Sequence, residues 1–249
     1  MKEIRRQFRL GLLILLLLSG LLIQLLVQPW LGLNHRRNFI RLWSRALLRA
    51  CGLRLIETGP SLAELAPGRM LVANHPSWLD IFAIDALAPA AFVAKAEIRR
   101  WPLVGRLVSQ AGTLYIERGK RRAVPEAIQQ MRERMRAGWP VAFFPEAGTH
   151  AGPELKPFHG NLLEAAIAES ADVIPIGVRY RHADGRVGEA AHFLGDQRFT
   201  QSVWAILGEK DLQVELLVLP PMPTAGKTRG QLAGELRDAI GATLGQGRD

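Results

Sequence analysis

The sequence predicts an α/β protein: one mixed, mainly parallel sheet covered by helices, preceded by a membrane-associated helix pair. Three observations lead there. Past Gly52, seven short runs rich in apolar and β-branched residues alternate with helix-like stretches, and no linker between them is long enough to separate two domains. A chain of 249 residues with 48% apolar content can bury one large core. The net charge of +9 is also uneven: residues 1–52 hold nine of the 32 basic residues and one of the 23 acidic ones, so that segment carries +8. The rest of the chain is near neutral, which excludes nucleic acid as its partner and divides the chain into N-terminal helices over 1–52 and a globular body over 53–249.

The N-terminal segment has two parts. Leu10 to Val27 is nearly all Leu, Ile, Val and Gly, and at ~1.5 Å per residue it barely covers a ~30 Å hydrocarbon core. From Asn34 to Cys51, Arg37, Arg41, Arg45 and Arg49 recur every fourth residue, with Phe39, Leu42, Trp43, Ala46, Leu47 and Ala50 between them. Such a basic amphipathic helix suits an anionic lipid surface. Basic clusters flank the apolar stretch on both sides, so a hairpin dipping into one leaflet from the cytoplasmic face of the cell membrane satisfies the charge rule best. No small-x-small cleavage site follows Val27, so the segment is expected to be retained.

In the body the strand candidates are Leu53–Glu57, Met70–Ala73, Ala91–Ala94, Thr113–Ile116, Val141–Phe144, Val173–Tyr180 and Leu212–Leu219, many bounded by Gly or Pro. Helices are expected over Pro125–Ala137, Gly160–Glu169, Gln201–Leu207 and Arg229–Leu244. Cys51 is a single thiol in an apolar helical setting, which excludes a disulfide framework and reads as buried and inert.

Chemistry concentrates in loops that follow strand candidates. After Met70–Ala73 comes Asn74-His75-Pro76-Ser77-Trp78-Leu79-Asp80, a histidine five positions ahead of a carboxylate. A neutral imidazole can take a proton from an alcohol near pH 7 and return it, and a carboxylate can fix the ring. Asn74 is placed as a helix cap with Pro76 at the first helical position, which sets Asp80 in the first turns. Gly112 to Gly119 contains Arg118, suited to hold an anionic headgroup bidentately. Phe143 to His150 supplies Glu146, Gly148 and Thr149 for a polyol or headgroup, and Lys95 is a weaker candidate for the same task. Val173-Ile174-Pro175-Ile176-Gly177 reads as plain buried strand. His150, His159, His182 and His192 show no ligand spacing with one another, so neither a metal nor a cofactor is expected.

Taken together, in this order and spacing, these blocks resemble the family of 1-acylglycerol-3-phosphate acyltransferases and related lysophospholipid acyltransferases. Asn74 to Asp80 is similar to its His-x-x-x-x-Asp block, Tyr115 to Arg118 to its second, Phe144 to Thr149 to its Phe-Pro-Glu-Gly-Thr third, and Val173 to Ile176 to its fourth. The resemblance implies that 53–249 is an acyltransferase domain using an acyl thioester of acyl carrier protein or coenzyme A as donor and a lysophospholipid such as 1-acylglycerol-3-phosphate as acceptor. It makes His75 the general base oriented by Asp80, with no covalent acyl-enzyme, and Arg118, Glu146, Gly148, Thr149 and Lys95 the acceptor-binding set. Backbone amides near a helix start would meet the oxyanion, each such donor being worth ~3 kcal/mol. The third block departs from the pattern, because His150 stands where phosphatidate-forming members often carry arginine. Together with Lys156 to Asn161, that departure points to lyso-ornithine lipid or another lysolipid as the alternative acceptor. A serine lipase is disfavoured because no Gly-x-Ser-x-Gly elbow exists, and a phosphate loop ending at Gly226-Lys227-Thr228 would need its first glycine where Pro221 stands. A non-catalytic lipid-binding protein is the remaining alternative, against which both His75 and Asp80 speak.

Overall fold

A computed structural model describes residues 1–27, 30, 32–100, 105, 109, 112–117, 122–151 and 154–245. Among these residues, seven strands form one sheet in the order β1-β7-β6-β2-β5-β3-β4: β1 (Leu53–Thr58), β2 (Met70–Ala73), β3 (Ala91–Lys95), β4 (Leu114–Ile116), β5 (Val141–Phe143), β6 (Val173–His182) and β7 (Leu212–Val218). Strands β2 to β6 run parallel, while β7 pairs antiparallel with β6 and carries β1 parallel to itself. The sheet is therefore mixed and mainly parallel, as the alternating pattern predicts, and each of the seven expected strands is present within two residues at either end.

The strands at the centre are buried on both sides, and their two faces feed two clusters. Leu71 and Ala73 of β2, with Ile174, Ile176, Val178 and Tyr180 of β6, pack beneath α1 (Lys2–Leu26), α2 (Leu33–Ala50), α4 (Asp80–Asp85) and α7 (Phe199–Leu207). Met70 and Val72, with Val173, face the opposite cluster under α5 (Ala123–Arg136) and α8 (Arg229–Gly245). The two-residue period of a strand puts alternate side chains on opposite faces, so every residue of β2 is covered. A short α3 (Leu62–Leu65) precedes β2, and a 3-10 turn (Gly160–Leu163) leads into α6 (Glu164–Ala168).

The N-terminal helices pack on the first face rather than standing apart. Leu13 of α1 and Leu47, Leu48 and Cys51 at the end of α2 belong to the same core cluster as β1 and α4, so packing continues across residue 52. Gly20 of α1 has no room for a side chain, because a Cβ there would meet the Trp43 indole at 2.6 Å, and the indole N–H donates to the Leu16 carbonyl at 3.2 Å. Burial pushes the Cys51 thiol up to about 12, so it stays an inert thiol at neutral pH.

Two of the four arginines in the stripe of α2, Arg37 and Arg45, differ from the expectation. Arg37 Nη2 donates to the Gly138 carbonyl at 2.9 Å and its guanidinium lies 4.3 Å from the centre of the Trp139 ring. Arg45 Nε donates to the Ala86 carbonyl at 2.7 Å. These two side chains are turned onto the body and bind carbonyls at the C-terminal ends of α4 and α5. The apolar surface left open lies on α1 instead, along Phe8, Leu15, Leu18, Leu22 and Leu26.

Candidate active site

Strand β2 ends at Ala73 in the middle of the sheet, and the chain leaves it as an irregular loop before entering α4 at Asp80. Asn74 does not cap that helix, contrary to the sequence expectation. Its buried amide pairs with the backbone of Val178 in both directions, Nδ2 donating to the carbonyl at 2.9 Å and Oδ1 accepting the N–H at 2.6 Å. The side chain thus adds two rungs to the β2–β6 ladder just where β2 has ended, which anchors the base of the loop in the sheet.

The loop brings His75 and Asp80 together. Nδ1 of His75 lies 2.8 Å from Asp80 Oδ2, and the same oxygen accepts the Ser77 N–H at 2.9 Å. The other carboxylate oxygen accepts the Tyr180 hydroxyl at 2.6 Å. Asp80 is fully buried, whereas the His75 side chain keeps 16% of its surface exposed. An Nδ1–H donated to a carboxylate leaves Nε2 with a free lone pair on the opposite edge of the ring. The phenyl ring of Phe144 stacks on the imidazole, and Phe92 backs Phe144 in turn. The imidazole is held in its own plane by Asp80 and against rotation out of it by Phe144.

Glu146 occupies a different place from the one its residue type suggests. It is buried, Oε1 accepts the His75 backbone N–H at 3.1 Å, and Oε2 accepts the Lys156 N–H at 3.2 Å. A carboxylate bound this way ties the loop after β2 to both ends of the loop after β5. The His150 N–H completes the tie by donating to the His75 carbonyl at 2.8 Å, while its ring Nε2 lies 2.9 Å from the Glu154 carbonyl. Between Glu146 and Gly148, Ala147 sits at a φ of 59°, a left-handed backbone conformation that a Cβ disfavours and glycine accepts freely.

Of the remaining predicted residues, Gly148 and Thr149 lie half-buried in that same loop, next to His75 through the His150 bond. Lys95 is exposed at the end of β3, on the side of the sheet from which the His75 loop rises. Arg118 lies outside the described residues. The opposite wall of the site comes from residues that the sequence did not single out. The Phe193 N–H donates to the Pro76 carbonyl at 2.9 Å, Trp78 Nε1 donates to Ser202 Oγ at 3.1 Å, and the His192 ring stands edge-on to Tyr180 at 6.4 Å. Burial holds the His192 imidazole below its ordinary value, against the pull of Asp80 nearby, so it is neutral at pH 7. Tyr180 could have been found from its spacing, since it continues the alternation Ile174, Ile176, Val178 onto the face where α4 lies.

The arrangement can accept a proton at a partly exposed Nε2 and hold the resulting imidazolium against a buried carboxylate. Comparison with known proteins gives the family. The acyltransferase family model matches residues 56–179, which include both His75 and Asp80. The chain is 35% identical to a lyso-ornithine lipid O-acyltransferase of Pseudomonas aeruginosa over 84% of this chain and 79% of that one. It is 33% identical to a 1-acyl-sn-glycerol-3-phosphate acyltransferase of Neisseria meningitidis serogroup B over 87% of this chain and 84% of that one. The crystal structure of the 1-acyl-sn-glycerophosphate acyltransferase from Thermotoga maritima shares the fold, with a TM-score of 0.67 at 20% identity, covering 99% of this chain and 97% of that one. With a loop that presents a carboxylate-fixed histidine on this sheet, and with relatives of this identity and coverage, the chain belongs to the family of 1-acylglycerol-3-phosphate and related lysophospholipid acyltransferases and is an acyltransferase.

Proposed function

We propose that the enzyme moves a fatty acyl group from a thioester of acyl carrier protein or coenzyme A to the free hydroxyl of a lysophospholipid, with 1-acylglycerol-3-phosphate as the leading acceptor. The observation that carries the mechanism is the 2.8 Å bond from His75 Nδ1 to a buried Asp80. His75 Nε2 takes the hydroxyl proton as the oxygen attacks the thioester carbonyl. The tetrahedral oxyanion collapses with loss of the thiolate, which receives the proton back from the imidazolium, and Asp80 stabilises that imidazolium throughout. Because the acceptor oxygen itself attacks the thioester, no acyl-enzyme is required. Gly148 and Thr149, half-buried beside the backbone bond from His150 to His75, are assigned with Arg118 and Lys95 to the acceptor headgroup. The bonding of Glu146 supports a different share of the work for that residue, namely holding the loops that carry His75 and the headgroup contacts.

A lyso-ornithine lipid is the second reading, and one observation favours it. His150 replaces the family's frequent arginine and its ring is engaged with the Glu154 carbonyl, so the third block offers no guanidinium to a phosphate monoester. We infer that the reaction takes place at the cytoplasmic face of the cell membrane, and the N-terminal helix supports the membrane part of this reading. Helix α1 has 25 residues, enough to span, yet one side of it packs on α2 and on the body. A helix with one side on protein and an apolar stripe on the other is suited to lie in a single leaflet, where its lipid substrates are also found.

The deciding experiment uses the purified protein, labelled acyl-coenzyme A or acyl carrier protein, and a panel of lysophosphatidate, lyso-ornithine lipid and zwitterionic lysophospholipids. Transfer to at least one acceptor, lost in His75→Ala, is the expected result. No transfer to any of them would leave a lipid-binding protein as the better description.

A further inference from the structure

The site contains a buried hydroxyl to which neither the motif nor the mechanism above assigns work. Tyr180 is 1% exposed, lies 100 residues from Asp80 in the chain, and reaches it across the β6–β2 ladder with its oxygen 2.6 Å from Oδ1. We propose that Tyr180 is a positioning residue of acyl transfer, acting through Asp80 to fix the carboxylate that orients and charges His75. The inference rests on the reading of His75 as the base.

The geometry assigns the two carboxylate oxygens separate duties. Oδ2 takes the Ser77 N–H and the His75 Nδ1–H, while the phenol is the hydrogen bond seen on Oδ1. A carboxylate held on one oxygen alone can turn about its Cβ–Cγ bond, and the phenol blocks that turn. Burial, with the charge of Asp80 beside it, keeps the phenol well above its ordinary value, so it is a donor at every working pH. A donor on Oδ1 also draws charge away from Oδ2. That matters in the second half of the reaction, when the imidazolium must surrender its proton to the thiolate: too strong a hold on it slows the return.

Ser77 and His75 face the Asp80 carboxylate from the loop after β2, Tyr180 from β6, and His192 from the segment after the 3-10 turn Glu189–Ala191. Glu189 and Cys51 lie further out, against His192 and Tyr180 respectively. Glu146 touches only the backbone of His75. Of these, His192 is the second imidazole beside His75 and could displace a pH profile near neutrality, so it is a control.

The test is steady-state kinetics of Tyr180→Phe over the neutral pH range, with both substrates varied. The ring is retained, so packing of β6 is preserved. The expected result is a fall in kcat of about 10- to 100-fold, the range for loss of a hydrogen bond to a charged group, with KM nearly unchanged. The acid limb of the pH–rate profile should move to higher pH, because the imidazolium is held by a fuller charge, and the move should persist in a His192→Gln background. In an Asp80→Asn background the Tyr180→Phe change should cost nothing further. Should the phenylalanine variant fold poorly, site-specific 3-fluorotyrosine at position 180 supplies a stronger donor of nearly the same shape and should move the acid limb to lower pH. An acid limb that stays put in both variants, or an undiminished additional loss in the Asp80→Asn background, would overturn the proposal by showing that Tyr180 only packs. A parent enzyme without acyl transfer would instead overturn the functional reading beneath it.

Discussion

The imidazole of His75 and the phenyl ring of Phe144 lie face to face, their centroids 3.8 Å apart and their planes 6° from parallel. A histidine that must both take and return a proton gains from a ring that holds its plane without offering a hydrogen bond. Phe144→Leu should therefore leave the fold intact yet loosen the base, with kcat falling roughly tenfold, since an aromatic pair is worth about 0.5–1.5 kcal/mol beyond its buried area. Turnover measured beside a thermal melt separates the effects. A melting temperature that falls while kcat holds would make Phe144 a core residue and no more.

Removing the base itself is the harsher test. His75→Ala takes away a partly exposed side chain and should cost about 10²- to 10⁴-fold in turnover with little change in stability. Asp80→Asn should be nearly as inactive but also less stable, because a buried amide cannot accept three hydrogen bonds as the carboxylate does. Turnover and chemical denaturation of the two variants together check the pair. Near-normal rates in His75→Ala would remove this mechanism.

Much of this molecule was legible in its sequence. Each strand is a short apolar, β-branched run closed off by glycine, proline or charge, and that signal is local, so all seven could be read. The His75–Asp80 pair was legible because its five-residue spacing sits within one loop. What failed was orientation over distance. Asn74 looks like a cap from its neighbours alone, and its partner Val178 stands 104 residues away. An arginine at every fourth position looks the same whether it faces lipid or the carbonyls of Ala86 and Gly138. Glu146 reads as a ligand-binding carboxylate, and its bonds to the backbone amides of His75 and Lys156 cannot be seen from its neighbours alone.

Asp85, at the end of α4, makes a prediction about stability. It is buried, its Oδ1 accepts the Ala90 N–H at 3.0 Å, and burial pushes its carboxyl up to about 8 against that hydrogen bond. The native state therefore keeps a proton that the unfolded chain releases above its ordinary value of 3.8. Stability from this group is fully present below that value, declines by about 1.4 kcal/mol per pH unit above it, and levels off past the folded value. Asp85→Asn keeps the acceptor for Ala90 and abolishes the titration, so its advantage over the parent should widen from acid to mildly alkaline pH. Denaturant unfolding at a series of pH values reads this directly, and parallel curves for the two proteins would refute it.

The N-terminal helices allow two properties to be separated that the sequence alone ran together. Arg45 binds the Ala86 carbonyl and Arg37 binds the Gly138 carbonyl over Trp139, so their replacement by Gln should loosen the body. Each loses a hydrogen bond from a charged donor, about 1.5–3 kcal/mol at most, and at this chain length ~1 kcal/mol corresponds to roughly 2–4 °C in melting temperature. Leu15 and Leu22 of α1, by contrast, are 65% and 57% exposed, whereas Leu10, Leu13, Leu16 and Leu17 supply the packing of α1 on the core. Leu15→Asn with Leu22→Asn should leave the melting temperature of detergent-solubilised protein nearly unchanged and weaken vesicle binding about tenfold per residue, as loss of a largely buried leucine side chain allows. Arginine variants that keep their stability but shed anionic vesicles selectively would restore the lipid-facing stripe. Leucine variants that melt early would show α1 to be a core helix instead of a membrane helix.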